Sequence, residues 1–258
     1  MSNISQFAQA ASQSLTIRFS TPADTPSVLA YYGRNPNANV DFRGDDVFTD
    51  RTDSGRTILV FKPDNSIGLS SMSHPYPDQG LVEIGSTLAN MDGFGLYPFI
   101  IASQIVHEFL ERTPDEKFFA CIYKPENDSV TKMLNTKVGW HIVAPCQVFA
   151  DSIGETENIN RLSWLNADSD TLPHQARVVL ETVLRGTVSN KKTGETLKLD
   201  LGQFSLATVF SAKVEELANG RFGEMLEKSH HLPLKQAKAA FDRYQQGATY
   251  FPELSPKP

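Results

Sequence analysis

Several residues between positions 74 and 123 can take part in proton transfer, and Glu83 is the first of them to consider. It lies inside LVEIGSTLA, an apolar run from Leu81 to Ala89 that is typical of a buried strand. A carboxylate that is partly desolvated in this way has a raised pKa and can deprotonate an ammonium group, directly or through water. The same glutamate can instead face solvent or pair with a neighbouring side chain, so both interpretations remain open.

Three aromatic residues around this strand can also act as acids or bases. His74 and Tyr76 lie in the stretch 73–80, whose two prolines and final glycine predict a turn that leads into the strand. Tyr123 ends Lys117–Tyr123, the run that predicts the next strand. Each of these side chains can serve as the acid that protonates a leaving group. Each can equally be simple aromatic cover over a cleft.

A glycine-rich turn, NMDGFG, follows the Leu81 strand and leads into an amphipathic helix predicted over Leu96–Arg112. The amide groups of Phe94, Gly95 and Leu96 precede or begin this helix, where N–H groups lack intrahelical acceptors. The helix dipole adds partial positive charge at the same place, and glycine lets a ligand approach the backbone closely. This arrangement suits a diphosphate. It also suits a turn that only packs a helix against a sheet.

The other elements alternate between strand and helix patterns. The expected order is strand, helix, hairpin, strand, helix, strand, helix and strand, which indicates an α/β fold with a mixed, partly parallel sheet and helices on its faces. Besides the elements above, the expected ones are a strand at Leu15–Ser20, a helix at Thr25–Tyr32, strands at Thr57–Phe61 and Ile67–Met72, a helix at Asp128–Lys137 and a strand at Trp140–Val148.

Four segments of this series occur in an order that one family shares. They are IRFSTPAD, ILVFKPDNSIGLSSM, VEIGSTLANMDGFG and ENDSVTKMLNTKVGW, the last ending in the pair Gly139 and Trp140. Over Leu15–Val148 the chain therefore resembles the GCN5-related N-acetyltransferase (GNAT) superfamily. The resemblance implies a twisted mixed sheet in which the Leu81 and Lys117 strands are parallel neighbours that splay apart.

The resemblance also implies a cofactor site. Asn90, Gly93 and Gly95 stand where the family has Q/R-x-x-G-x-G/A, so the turn would bind the diphosphate of acetyl-CoA, the implied co-substrate. Strand backbone at Ser86, Thr87 and Leu88 would pair with the pantetheine arm. Asn127 would contact the same arm, or it caps the following helix.

The implied activity is an acyl-CoA-dependent N-acyltransferase that acts on an amine-bearing small molecule or protein. Asn135 stands where many members have a tyrosine that protonates the departing thiolate, and an amide has no proton to give. Asn90 likewise replaces the usual Gln or Arg. The alternative is therefore a non-catalytic binding or inhibitory protein on the same scaffold.

Composition narrows the remaining classes. The net charge of −6 among 258 residues disfavours nucleic acid as a partner, and two cysteines are too few for a disulfide framework. The six histidines form no metal-binding motif, so no metal is expected. We see no run of membrane-spanning length and no secretion signal, and expect a cytoplasmic protein.

The chain divides by pattern into residues 15–149, the GNAT-like domain, and residues 150–258, a mainly helical region. Within the second region, Thr171–Arg185, Phe204–Ala218 and Leu234–Tyr244 have helical spacing, and Ser189–Leu201 predicts a short hairpin around Thr193 and Gly194. The helices can pack on the first domain or form a homodimer interface.

Overall fold

The computed structural model describes residues 13–37, 40, 43–77, 81–111, 118–123, 133, 137–138, 141–142, 146–147, 159–166 and 172–202. Their elements, in chain order, are β1 (Ser14–Phe19), α1 (Thr25–Arg34), α2 (Asp45–Asp53), β2 (Thr57–Phe61), β3 (Ile67–Tyr76), β4 (Leu81–Ala89), α3 (Tyr97–Glu111), β5 (Phe118–Tyr123), β6 (His141–Ile142), β7 (Cys146–Gln147), β8 (Ile159–Asn166), α4 (Leu172–Arg185), β9 (Thr187–Ser189) and β10 (Thr196–Asp200).

The described strands form one mixed sheet in the order β6-β8-β5-β4-β3-β2-β1-β10-β9, and β7 also pairs with β8. β4 runs parallel to β5, β1 runs parallel to β10, and the other neighbours are antiparallel. A mixed α/β sheet with helices on its faces is therefore confirmed. The connection from β4 to β5 passes through α3, as expected for parallel neighbours.

Alternate residues of β3 face opposite sides of the sheet and meet different helices. On one face Oγ of Ser70 is hydrogen-bonded to the Tyr32 hydroxyl of α1, 3.2 Å away. On the other face Ser71 donates to the Gln104 amide oxygen of α3 over 2.8 Å. The first face carries an apolar cluster that includes Tyr32, Phe48 and Met72, while α4 packs against α3 on the second. The position of each catalytic candidate along β3 therefore determines which face of the sheet its side chain lies on.

The expected turn at residues 73–80 is wrong in its first half, because β3 continues through His74 and Pro75 to Tyr76. Proline is tolerated there because β2 pairs with β3 only as far as Met72. Beyond that point the missing proline N–H interrupts no ladder on the β2 side. His74 and Tyr76 are consequently strand residues that face the same side of the sheet, not residues of a loop.

The sheet extends past the boundary expected at residue 149. β8 pairs with β5 along its whole length, and the β9–β10 hairpin, which was expected around Thr193 and Gly194, adds to the edge beside β1. A strand edge exposes unpaired backbone groups, and β10 satisfies those of β1. α4 matches the first expected helix of this region. The helices expected at 204–218 and 234–244, and nearly all of Asp128–Lys137, lie outside the described residues.

The division into two domains stays a prediction. Within the described part of the chain, no helix is both long enough and apolar enough to cross a membrane.

Candidate active site

β4 and β5 pair only at their beginnings and then separate. Their ladder starts with Leu81 opposite Phe118 and ends with Glu83 opposite Ala120. β4 nevertheless continues to Ala89, and β5 continues in pairing with β8. The expected splay is therefore present. Beyond Glu83, the edge of β4 that faces the splay has no strand partner among the described residues, so its backbone is available to an extended ligand.

A β-bulge distorts β4 in the middle of this free stretch. Met72 pairs with Gly85 but Ser70 pairs with Leu88, so Ser86 and Thr87 of β4 lie opposite the single residue Ser71 of β3, and β4 holds one extra residue. Ser86 has φ +45°, in the left-handed region that a side chain disfavours. Tyr32 of α1 donates a hydrogen bond to the Ser86 carbonyl. The bulge turns backbone groups out of the ladder and is held by a residue from a helix.

Glu83 is buried, with 4% of its surface exposed, and it is paired. Nη2 of Arg43 lies 2.7 Å from one carboxylate oxygen and 2.9 Å from the other, and the Tyr76 hydroxyl donates to the second over 3.2 Å. Arg43 also donates to the Tyr76 hydroxyl. Burial works to lower the pKa of Arg43, but the Glu83 charge and the Tyr76 hydroxyl raise it overall. The Glu83 side chain is therefore both buried and paired, and its role as a base stays a prediction.

His74 lies directly opposite Glu83 in the β3–β4 ladder and is 1% exposed. Its Nε2 lies 3.0 Å from Oγ of Ser86, at the bulge. Its Nδ1 has no hydrogen-bond partner among the described residues. Burial and then the charge of Arg43 hold the pKa of His74 well below 6.5, so the ring is neutral at pH 7. A neutral imidazole with a nitrogen to spare can accept a proton.

Tyr76 and Tyr123 differ in how closely they approach this group. Tyr76 is half-buried and bonded to both members of the ion pair, and burial raises the pKa of its phenol. Tyr123 ends β5, opposite Arg161 of β8 and three residues past the last β4–β5 pair. The fold thus brings Glu83, His74 and Tyr76 together, and it places Tyr123 on the other wall of the splay. Asn127 and Asn135 lie outside the described residues.

The glycine turn adopts the conformation that its sequence predicts. Asn90 N–H donates to the Gly68 carbonyl over 2.9 Å and fixes the start of the turn. Gly93 and Gly95 have φ +87° and +67°, values that favour glycine. The amides of residues 94–96 donate to no acceptor among the described residues. They lie just before α3, where unbonded N–H groups and the helix dipole favour an anion.

A cavity of about 470 Å³ lies between the end of α1 and β4. Leu88 lines it and packs with Met72 in the apolar cluster under α1, so it opens on the sheet face that carries His74 and Tyr76. The lining has no charged side chain among the described residues. It consists of Tyr32 and Gly33 of α1, of Asn35, Pro36, Asn37 and Val40 after it, and of Leu88.

Arg43, Tyr32 and Asn190 contribute to this region without having been singled out from the sequence. Arg43 is one of three arginines in residues 33–55, a polar stretch that the sequence predicts as a loop or irregular helix, and Tyr32 has the pattern of an ordinary helix residue. Asn190 lies in the β9–β10 turn and contacts the glycine turn. Each of the three contacts a partner more than 30 positions away in the sequence, so no local spacing pattern predicts the contact. No group of residues suited to a metal ion is found in the described part of the chain.

Comparison with known proteins gives similarity of fold alone. No family model and no curated protein matches the chain. Among solved structures, the chain is similar to the diaminobutyrate acetyltransferase of Paenibacillus lautus, with 8% identity, TM-score 0.47 and coverage of 60% of this chain and 95% of that one. It is also similar to the ribosomal-protein-alanine N-acetyltransferase of Brucella melitensis, with 14% identity, TM-score 0.46 and coverage of 58% and 98%.

A third such structure is a mutant of the spermidine N-acetyltransferase of Vibrio cholerae, with 11% identity, TM-score 0.44 and coverage of 58% and 92%. The solved structures thus correspond to roughly three fifths of this chain. Acetyltransferases of the GNAT family are prominent among them.

Proposed function

We propose that this protein transfers an acyl group from acyl-CoA, with acetyl-CoA as the first candidate, to an amine acceptor. Beyond Glu83, β4 has no strand partner on its β5 side among the described residues, and its ladder with β3 contains a bulge. The buried polar group around Glu83 lies at one end of this stretch. The glycine turn, whose amides have no acceptor among the described residues, lies at the other end, and this combination is the observation that carries the proposal. An extended arm with a reactive thioester and a diphosphate needs these features in this order.

In this proposal the diphosphate binds the amides of Phe94, Gly95 and Leu96, and glycine at 93 and 95 keeps side chains out of its way. The pantetheine arm then lies in the splay and pairs with β4 backbone at residues 86–88. The thioester arrives beside the bulge. There the backbone groups turned out of the ladder can stabilise the oxyanion.

The chemistry is direct attack. The amine nitrogen bonds to the thioester carbonyl carbon, the carbon–sulfur bond breaks, and the thiolate leaves with the electron pair. Glu83, paired with Arg43, attracts the ammonium form, and the one lone-pair site that its partners among the described residues leave unused accepts the amine proton, directly or through water. His74, neutral and beside the bulge, is the other candidate base. Tyr76 or Tyr123 supplies the proton for the thiolate.

The acceptor site is proposed to be the uncharged cavity between α1 and Leu88. A cavity of about 470 Å³ is within the usual range for small-molecule sites. The solved structures similar in fold carry names that include amines: diaminobutyrate, spermidine and ribosomal-protein alanine. For this chain an amine on a small molecule or a protein is the corresponding proposal, and the cytoplasmic location and homodimer remain predictions.

A non-catalytic scaffold is the second candidate, and one observation favours it. Arg43 already occupies the carboxylate that would otherwise attract an ammonium ion. If this ion pair never opens, the site can bind CoA without turning it over.

The test has two stages. Calorimetry and thermal denaturation with acetyl-CoA come first, with ADP as the control that has a diphosphate but no pantetheine arm. Acetyl-CoA at about 100 times its Kd should stabilise the fold by about 2.7 kcal/mol, and ADP should bind more weakly. Thiol release is then measured with a panel of amines. Binding without turnover on any amine would support the non-catalytic scaffold, and absence of binding would refute both candidates.

A further inference from the structure

We propose that Asn190 is a positioning residue for the glycine turn, setting the direction of the amides that bind the cofactor's diphosphate. The inference rests on the function proposed above. Asn190 belongs to the turn between β9 and β10, is 9% exposed, and lies 98 positions from its partner Asp92. A part of the chain beyond the GNAT-like segment would thereby take part in cofactor binding.

Two hydrogen bonds join the turns. The side-chain Nδ2 of Asn190 donates to the carbonyl of Asp92 over 2.9 Å. The backbone N–H of Lys191 donates to the carbonyl of Gly93 over 3.0 Å. Two successive carbonyls of the glycine turn therefore point at the hairpin.

The direction of these carbonyls determines that of the next amides. In a trans peptide the C=O and the following N–H lie in one plane and point in opposite directions. With the carbonyls of Asp92 and Gly93 bound to the hairpin, the N–H groups of Gly93 and Phe94 must face away from it. The Lys191 bond thus sets the direction of the Phe94 N–H, a proposed diphosphate donor, and the Asn190 bond fixes the peptide immediately before it. Together they prepare the donor geometry before the cofactor arrives.

The hairpin is anchored independently of this contact. β10 pairs with β1, and Val188 and Leu197 are each 4% exposed. Oδ1 of Asn190 also closes its own turn by accepting from the N–H groups of Lys192 and Thr193, at 2.9 and 3.2 Å. The hairpin is therefore held in place without the glycine turn, and we infer that it positions the turn.

Close packing at Gly93 supports the same conclusion. A Cβ built on Gly93 would lie 2.5 Å from Oδ1 of Asn190, well inside contact distance. At Gly95 a Cβ would meet nothing within 4 Å. Glycine is thus required at position 93 both by the Asn190 contact and by its positive φ, whereas at position 95 only the positive φ requires it.

The experiment compares Asn190→Asp with Lys192→Ala in the full chain. Asn190→Asp keeps an oxygen that can close the hairpin turn but removes the donor to Asp92. Lys192→Ala makes the same turn more negative by one charge and leaves that bond intact. Its own ion pair with the Asp92 carboxylate, 3.5 Å apart between side chains that are 72% and 78% exposed, is a weak surface contact. Calorimetry is performed with acetyl-CoA and with acetyl-pantetheine, which carries the thioester but no phosphate.

We expect Asn190→Asp to weaken acetyl-CoA binding by about tenfold more than Lys192→Ala does. Acetyl-pantetheine binding should stay unchanged in both variants, and circular dichroism melting curves should agree. Equal acetyl-CoA affinities in the two variants would overturn the inference, as would equal weakening of both ligands in Asn190→Asp. Absence of acetyl-CoA binding by the parent protein would instead overturn the proposed function and this inference with it.

Discussion

The Arg43–Glu83 ion pair provides a direct test of how the candidate active site is built. Glu83→Gln keeps the shape of the side chain but removes the charge that compensates Arg43. Removing one member of a fully buried pair costs about 3–5 kcal/mol, because the other charge is left uncompensated. The Arg43 side chain is 21% exposed and the Glu83 side chain 5%, so water can partly solvate the remaining guanidinium. We therefore expect a smaller loss in unfolding free energy, of about 2–3 kcal/mol.

The assay is urea unfolding followed by circular dichroism for Glu83→Gln, Arg43→Met and the double variant. If the pair exists in solution, the double variant should lose less stability than the two single losses added together, because no charge remains unpaired. Asp50→Asn is the control. Its ion pair with Arg51 has a carboxylate that is 64% exposed, so we expect a loss of less than about 1 kcal/mol. Strictly additive losses at Arg43 and Glu83 would refute the pairing.

Turnover in the same variants separates structure from catalysis. If Glu83 accepts the amine proton, Glu83→Gln should reduce turnover by about 10²–10⁴-fold while acetyl-CoA affinity stays nearly the same. Full activity in a folded Glu83→Gln would eliminate this residue as the base and leave His74. Arg43→Met tests the second candidate, a non-catalytic scaffold. If Arg43 only blocks the carboxylate, its removal should increase turnover with a cationic amine and not decrease it.

Three other predictions concern stability. Arg18 holds the pKa of Asp24 at about 2, below its ordinary 3.8, so Asp24→Asn should cost about 2 kcal/mol at pH 7 and progressively less as the pH falls from 3.8 to 2; urea unfolding across this range checks it. Because burial keeps His74 neutral, stability should fall as the pH drops below 6.5, and comparison of His74→Asn with the parent at pH 7 and 5 should show a weaker dependence. Gly95→Ala should cost about 1–2 kcal/mol from its φ alone, and Gly93→Ala more, in thermal denaturation.

The features that the sequence predicts correctly are those encoded within a few residues. β4 is an apolar run, and NMDGFG contains the glycines that its positive φ values require. The splay between β4 and β5 is implied by the family resemblance and not by any one segment. The turn predicted around Pro75 is wrong because a proline usually ends a strand. Here β3 can contain a proline because β2 has already stopped pairing with it, which is a tertiary property.

The sequence does not predict which distant residues contact Glu83 and the glycine turn. Arg43 lies 40 positions from Glu83, and Asn190 lies 98 positions from Asp92. Periodicity reports which face of an element is apolar, but it does not report which distant polar residue will meet a given carboxylate or carbonyl. The types of the reactive groups can thus be predicted while their electrostatic state cannot.

This difference changes the chemistry assigned to the site. Taken alone, Glu83 in an apolar strand is a desolvated carboxylate with a raised proton affinity. With Arg43 in contact, the same carboxylate is already paired with a cation. The proton acceptor is then one of two atoms. It is either the Glu83 oxygen at the lone-pair site that Arg43 and Tyr76 leave unused, or Nδ1 of His74, which has no hydrogen-bond partner among the described residues. If Arg43 instead blocks the carboxylate, the parent protein binds the cofactor without turnover, and Arg43→Met should then increase turnover with a cationic amine.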